Sequence, residues 1–197
     1  DTTAAVLLEG TTSRTAKQIA DEMTALGGAL RSDASADSLV IAGNALAEGI
    51  EHLLDLVADV ARNAVFPEEE VELRKQQSRQ ELLAELSDAG FIADEKINEV
   101  VFGPHPYARQ EPTLKSIDRL DRAALESFRN AHLAPNNAVL VLLGDVPANA
   151  VQLIERRFGD WARRDVPAGP RAVFPAPRRS VVLVDRPGSV QADVRLG

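Results

Sequence analysis

A succession of amphipathic helical segments limits what this chain can fold into. From residue 13 to residue 162, segments with apolar residues every three or four positions alternate with Gly, Pro or capping residues. The clearest is AEGIEHLLDLVADVARNAV at residues 47–65, which places Ile50, Leu53, Leu54, Val57, Val60 and Ala61 on one face. Helices with one apolar face must bury it against other helices or against a sheet.

Capping residues and breakers mark where these helices begin and end. In SRTAKQIADEMTALGG, Ser13 or Thr15 is the predicted N-cap and Gly27-Gly28 is the predicted stop. Pro67, followed by three glutamates, predicts the start of a long helix that runs to about Ser87.

A smaller set of segments has the composition of strands. ALRSDAS and DSLVIAG predict a hairpin around Ala36-Asp37. The apolar run from Ala138 to Leu143 predicts a strand buried on both faces, and SVVLVDRPG and VQADVRLG predict a further pair. The fold class is therefore α+β, with helices packed on a mainly antiparallel sheet.

Composition excludes several functions. The net charge is −8, with acidic and basic residues mixed along the same helices, which argues against binding to nucleic acid or to a membrane surface. The absence of cysteine excludes disulfides, thiolate metal sites and a cysteine nucleophile. No apolar run has the length of a membrane span. We expect a soluble protein and leave its compartment open between cytoplasm and periplasm.

Blocks that span nearly the whole chain resemble a known family. In order they are LLEGTTSRTAKQIADEMTALGGAL, FPEEEVELRKQQSRQELLAEL, FGPHPYARQEPTLKSIDRLDRAALESFRNAHLAPNNAVLVLLGDV and VVLVDRPGSVQADVRLG. Together they resemble the pitrilysin and mitochondrial-processing-peptidase family of zinc metallopeptidases. The resemblance implies that residues 1–163 are the first of two homologous halves, without its N-terminal strands. Residues 164–179 would be a proline-rich linker, and residues 180–197 the start of the second half.

The same resemblance locates the family's zinc motif. Active members carry His-x-x-Glu-His directly before a segment like Leu7-Leu8-Glu9-Gly10-Thr11. Here Asp1 stands at the first His position, Ala4 at the catalytic Glu and Ala5 at the second His. Zinc catalysis needs imidazole ligands and a carboxylate base, and alanine supplies neither. The resemblance therefore predicts no catalytic residue, no metal and no cofactor of this chain's own.

Other residues do not replace the motif. His52, His105 and His132 lie on separate elements without the spacing of metal ligands, so each is interpreted as structural or as a surface residue. Glu81 falls near the family's third ligand position. Without the histidine pair, it is interpreted as a solvated charge on a long helix.

The strand after the metal helix is the family's substrate-binding edge, to which a peptide adds as an extra strand. Active members carry a pattern like Asn-Ala-x-Thr there, and this chain has Arg31, Ser32, Asp33 and Ala34 instead. One interpretation is an altered peptide-binding edge. The other is an ordinary exposed strand that its charges protect from unwanted pairing.

The resemblance implies a non-catalytic subunit that pairs with an active zinc-bearing homologue, or with itself, and helps to enclose a peptide substrate. One alternative is a structural or assembly protein of the same fold. Another is an active zinc peptidase, which would require a different register at residues 1–5. No His-x-x-Glu-His occurs anywhere in the chain.

Overall fold

The computed structural model describes residues 2–109, 111–169, 173, 176 and 179–197. Its strands are β1 (Ala29–Ala34) and β2 (Leu39–Asn44). Its helices are α1 (Thr2–Ala5), α2 (Ala16–Ala25), α3 (Ile50–Asn63), α4 (Glu68–Glu85), α5 (Ala89–Phe102), α6 (Leu114–Asp118), α7 (Arg122–His132) and α8 (Ala150–Phe158). Short 3₁₀ turns lie at Ala47–Gly49, Pro106–Ala108 and Pro135–Asn137. The α+β class is confirmed.

The chain divides into two compact units. The first contains Asp1–Arg74 and Leu120–Pro167, and the second contains Lys75–Arg119 and Ala168–Gly197. Helix α4 begins in the first unit and ends in the second. In the described part of the chain, no helix combines the length and the apolar character that crossing a membrane requires.

The predicted hairpin is confirmed. Strands β1 and β2 pair antiparallel, from Ala29 opposite Asn44 to Ala34 opposite Leu39. The Ser35 amide donates to the Ser38 carbonyl at 2.8 Å, which closes the turn around residues 36 and 37. Within the described ranges these two strands make up the sheet.

Helix α3 and the segment after it supply much of the core of the first unit. Phe66 and Val60 have no exposed surface, and they lie in one cluster with Leu7 from the segment after α1. Leu30 and Ile41, from the inner face of the hairpin, pack against these residues. Four residues of the apolar stripe predicted for α3 are buried, as its spacing requires: Leu53, Leu54, Val60 and Ala61. Leu56, which the prediction left out, is fully buried as well.

In the second unit, helix α5 lines a concavity and also contacts the C-terminal segment. The concavity, of about 780 Å³, is lined by residues of α4, α5, the loop that follows α5 and the start of α6, with Leu82, Phe91 and Leu114 among its apolar residues. Arg195 from the C-terminal segment forms an ion pair with Asp94 on α5.

The strand predicted from Ala138 to Leu143 is wrong. Its backbone begins extended at Ala138, but the structure assigns no strand there, and Val139 and Leu143 are 89% and 95% exposed. A strand requires a neighbour to pair with its N–H and C=O groups, and no described segment takes that place. The strands predicted within residues 180–197 are also wrong, since these residues have no ladder partner among the described segments.

Candidate functional site

The residues at the zinc-motif positions lie beside strand β1. Helix α1 is a single turn in which Ala4 is 3% exposed and Ala5 is exposed, and Asp1 lies outside the described residues. The Ser32 hydroxyl of β1 donates to the Ala4 carbonyl oxygen at 2.6 Å. The structure therefore brings Ala4, which the resemblance assigns to the catalytic glutamate position, next to the predicted peptide-binding strand.

The side chains of Ala4 and Ala5 do not fit a zinc ion. The methyl groups of Ala4 and Ala5 have no lone pair for a metal and no base for a water molecule. Glu81, near the third ligand position, is an exposed residue of α4 in the second unit. Among the residues that the structure describes, no group of three or more His, Asp or Glu side chains could hold a metal ion.

Each of the three histidines contacts another side chain or a backbone amide. His52 Nε2 lies 2.8 Å from a carboxylate oxygen of Glu22. His105 Nδ1 accepts from the Tyr107 amide at 3.2 Å, and its ring packs edge-on against the Tyr107 ring. The His132 ring lies 4.6 Å from that of Phe128. These contacts agree with the structural interpretation of the histidines.

One edge of β1 is open for main-chain pairing. In an antiparallel ladder, hydrogen-bonded pairs of residues alternate with pairs that are not hydrogen-bonded. Ser35 and Ser38 are hydrogen-bonded, so the pairs that contain Leu30, Ser32 and Ala34 are not, and the N–H and C=O groups of these three residues point away from β2. No backbone group of another described segment is bonded to these three residues. An extended peptide can therefore add to this edge through main-chain hydrogen bonds.

The two faces of β1 differ in burial and in charge. Ser32 and Ala34 are half-buried on the inner face. Arg31 and Asp33 point outward with 71% and 59% of their side chains exposed, and Arg31 Nη1 lies 2.6 Å from Asp33 Oδ2. The structure therefore places the predicted residues 31–34 on one strand, with the charged pair on its solvent side.

A buried polar cluster that the sequence analysis missed holds the segment after α1. Asp59 of α3 is only 8% exposed, and it accepts hydrogen bonds from four side chains. The donors are Thr11 at 2.7 Å, Ser13 at 2.8 Å, Arg14 at 2.6 Å and Asn63 at 2.8 Å. Burial by itself raises the pKa of Asp59, but the hydrogen bonds from Asn63, Thr11, Ser13 and Arg14 outweigh it, so the pKa is lowered.

Backbone contacts join the same segment to the end of α3. The Val65 amide donates to the Gly10 carbonyl at 2.9 Å, and the Thr12 amide donates to the Asn63 carbonyl at 3.1 Å. The chain that leaves α1 is thereby attached to α3 by side chains and by backbone. The available sequence signal was a carboxylate, Asp59, next to Val60 and Ala61 of the apolar stripe, since a charge there needs partners.

Two sequence profiles define the class of protein to which this chain belongs. A sequence profile described as "Insulinase (Peptidase family M16)" matches residues 5–110, and one described as "Peptidase M16 inactive domain" matches residues 119–197. The chain belongs to the M16 peptidase family. The resemblance to the pitrilysin and processing-peptidase group is confirmed.

Individual relatives support the same assignment. An uncharacterized zinc protease of Rickettsia bellii is 30% identical over 152 residues, which are 76% of this chain and 37% of that protein. The mitochondrial-processing peptidase subunit alpha of Neurospora crassa is 26% identical over 162 residues, covering 81% of this chain and 28% of the subunit. This chain thus spans well under half the length of either relative.

A solved structure shares the fold. The crystal structure of a peptidase M16 inactive domain from Pseudomonas fluorescens superposes with a TM-score of 0.76. It is 23% identical in sequence, and the match covers 86% of this chain and 42% of that one. At this identity the likeness establishes the fold alone.

Proposed function

We propose that this protein is a non-catalytic member of the M16 family that pairs with an active, zinc-bearing homologue and helps to enclose a peptide substrate. The proposal is supported by the place of Ala4 and Ala5, which the resemblance assigns to the base and ligand positions. Ala4 is bonded to Ser32 of β1, a strand with one edge unpaired among the described residues. Such a site can bind a peptide main chain, and the methyl groups of Ala4 and Ala5 supply neither a metal ligand nor a base.

The relatives support a paired arrangement. The Neurospora crassa relative is by its name one subunit of a processing peptidase, and residues 119–197 match a profile described as an inactive domain. We further propose that residues 1–163 form the first of two homologous halves. Residues 164–179 would be the connection, and residues 180–197 would open the second half. Part of the connection lies outside the described residues.

The first prediction concerns zinc. The protein and an active homologue are purified in parallel, under conditions in which the homologue binds zinc. Elemental analysis should find no stoichiometric zinc in this protein, because Ala4 and Ala5 offer no ligand atoms. One tightly held zinc ion per chain, lost in the Glu81→Ala variant, would contradict the prediction and favour an active zinc peptidase.

The second prediction concerns the partner. Alone, the intact protein should leave extended peptides uncleaved. Co-expressed with an active homologue from the same organism, it should elute with that homologue and raise its turnover of extended peptides. The control is a homologue whose catalytic glutamate is replaced by glutamine, which should still bind this protein without cleaving peptide.

Other outcomes of the same experiment separate the alternatives. Co-elution with no change in cleavage rate would favour a structural or assembly role. Elution of this protein only as a homo-oligomer would favour self-association. Recovery of free protein with every homologue tested would contradict the pairing proposal.

A further inference from the structure

The outward face of β1 carries a basic and an acidic side chain in a set order beside its open edge. Arg31 and Asp33 flank Ser32, whose main chain faces the open edge. We infer that this edge selects peptides in which a basic residue, one uncharged residue and an acidic residue follow one another from N- to C-terminus. The inference rests on the proposed function, since it assigns a sequence preference to the edge proposed to bind peptide.

Register determines which peptide residues meet the charged pair. Antiparallel pairs are slightly more stable per residue than parallel ones, so we take antiparallel addition as the mode. The central peptide residue then lies opposite Ser32 and exchanges both hydrogen bonds with it. The residue before it lies opposite Asp33, and the residue after it lies opposite Arg31. Both of these side chains project on the outer face, because side chains alternate along a strand.

The surroundings of the pair are uncharged on the side of β2. Val40 lies opposite Asp33 and Ala42 lies opposite Arg31, so β2 provides no competing charge at either position. The ion pair uses Nη1 of Arg31 and Oδ2 of Asp33. A guanidinium carries further N–H donors and a carboxylate has a second oxygen, so each group can bind a peptide charge while keeping its partner. Opposite charges directly across a pair of strands stabilise it.

The expected preference is moderate because both side chains are exposed. Two exposed cross-strand ion pairs correspond to an affinity ratio on the order of fivefold at low salt. The ratio should fall toward unity as salt screens the charges.

The test uses labelled peptides of equal composition and the intact protein. One peptide is acetyl-Thr-Val-Lys-Val-Glu-Val-Thr-amide, and the other exchanges the Lys and the Glu. Fluorescence anisotropy should show tighter binding of the Lys-Val-Glu peptide. The double variant Arg31→Asp with Asp33→Arg keeps an ion pair on the strand and should reverse the preference. The matched control is Lys17→Asp with Asp21→Lys, an exposed pair on α2, which should leave it unchanged.

A third peptide separates this inference from the proposed function. N-methylation of the central valine removes the N–H that would donate to Ser32, so it should abolish binding if the peptide adds as a strand. If N-methylation blocks binding but the two charge orders bind equally, the inference is overturned and the proposed peptide edge stands. A preference for Glu-Val-Lys by the unmodified protein also overturns the inference. Absence of binding, or binding unaffected by N-methylation, overturns both.

Discussion

Replacing Asp59 by alanine should lower the free energy of unfolding by about 3 kcal/mol, since four side-chain donors would lose one buried, charged acceptor. Arg14 would lose its 2.6 Å contact, and Thr11 and Asn63 would lose their acceptor in a site that is only 8% exposed. Arg14 would keep its ion pair with Glu22. Urea unfolding followed by circular dichroism measures the change. Because the cluster attaches the segment after α1 to α3, the variant should also weaken peptide binding at β1.

Two variants serve as controls for Asp59→Ala. Asp59→Asn keeps the shape and some hydrogen bonds but removes the charge, so it should be destabilised less than the alanine variant. Asp21→Ala removes an exposed i,i+4 partner of Lys17 and should cost less than about 0.5 kcal/mol. Equal, small losses for Asp59→Ala and Asp21→Ala would show that the buried cluster contributes little to stability.

Because the pKa of Asp59 is lowered, the contribution of its carboxylate to the free energy of unfolding depends on pH. A carboxylate whose pKa is lower in the folded state stabilises that state fully above its unfolded pKa, near 3.9, and stops doing so as pH falls through the folded value. The stability difference between the natural protein and Asp59→Asn should therefore be largest near neutral pH. It should shrink as the pH drops below about 4. A difference that grows in acid would contradict the assigned direction.

Local signals predicted helices α2, α3 and α4 and the hairpin, and similar signals occur at other helices. Thr15 accepts from the Gln18 amide as the N-cap of α2, and Asp88 and Asp121 cap α5 and α7 in the same way. Each cap depends on residues within three positions, so the sequence contains all the information. The two-residue turn at Ala36-Asp37 is equally local, and it determines the register of β1 on β2.

Features that depend on distant residues could not be predicted in the same way. The run from Ala138 to Leu143 has the composition of a buried strand, but pairing depends on a neighbouring strand that no local pattern supplies. The Asp59 cluster joins residues more than forty positions apart, Thr11 and Asp59 among them. The sequence showed the carboxylate in the apolar stripe but not the donors that compensate it.

The location of the candidate site follows from the resemblance, and the structure adds contacts to it. The resemblance placed Ala4 and Ala5 at the zinc-motif positions and residues 31–34 on the following strand. The structure adds the hydrogen bond from Ser32 to Ala4, which joins the two segments, and the outward orientation of Arg31 and Asp33. Orientation could be anticipated from strand alternation, whereas the contact between the helix and the strand required the tertiary structure.

Gly28→Ala should be the most damaging substitution at the hairpin and should lower the free energy of unfolding by about 3 kcal/mol. This value is at the upper end of the usual cost of inserting a methyl group into a packed site. A Cβ at Gly28 would lie 1.8 Å from the carbonyl oxygen of Asn44 and 2.8 Å from its carbonyl carbon. Both atoms are backbone, so a rotamer change cannot relieve the overlap. Ala29 pairs with Asn44 in the ladder, and the open end of the hairpin would have to separate.

The neighbouring Gly27 provides a matched comparison. Its φ of +60° lies in the left-handed region, but a Cβ there would meet only the Leu46 side chain, at 3.7 Å. Gly27→Ala should therefore cost about 1 kcal/mol from backbone strain alone. Gly169→Ala, where nothing lies within 4 Å of the added carbon, should be close to neutral. Urea unfolding should rank Gly28→Ala as the least stable of the three variants. If Gly27→Ala loses more stability than Gly28→Ala, the close approach of Gly28 to Asn44 does not constrain the hairpin that presents the proposed peptide edge.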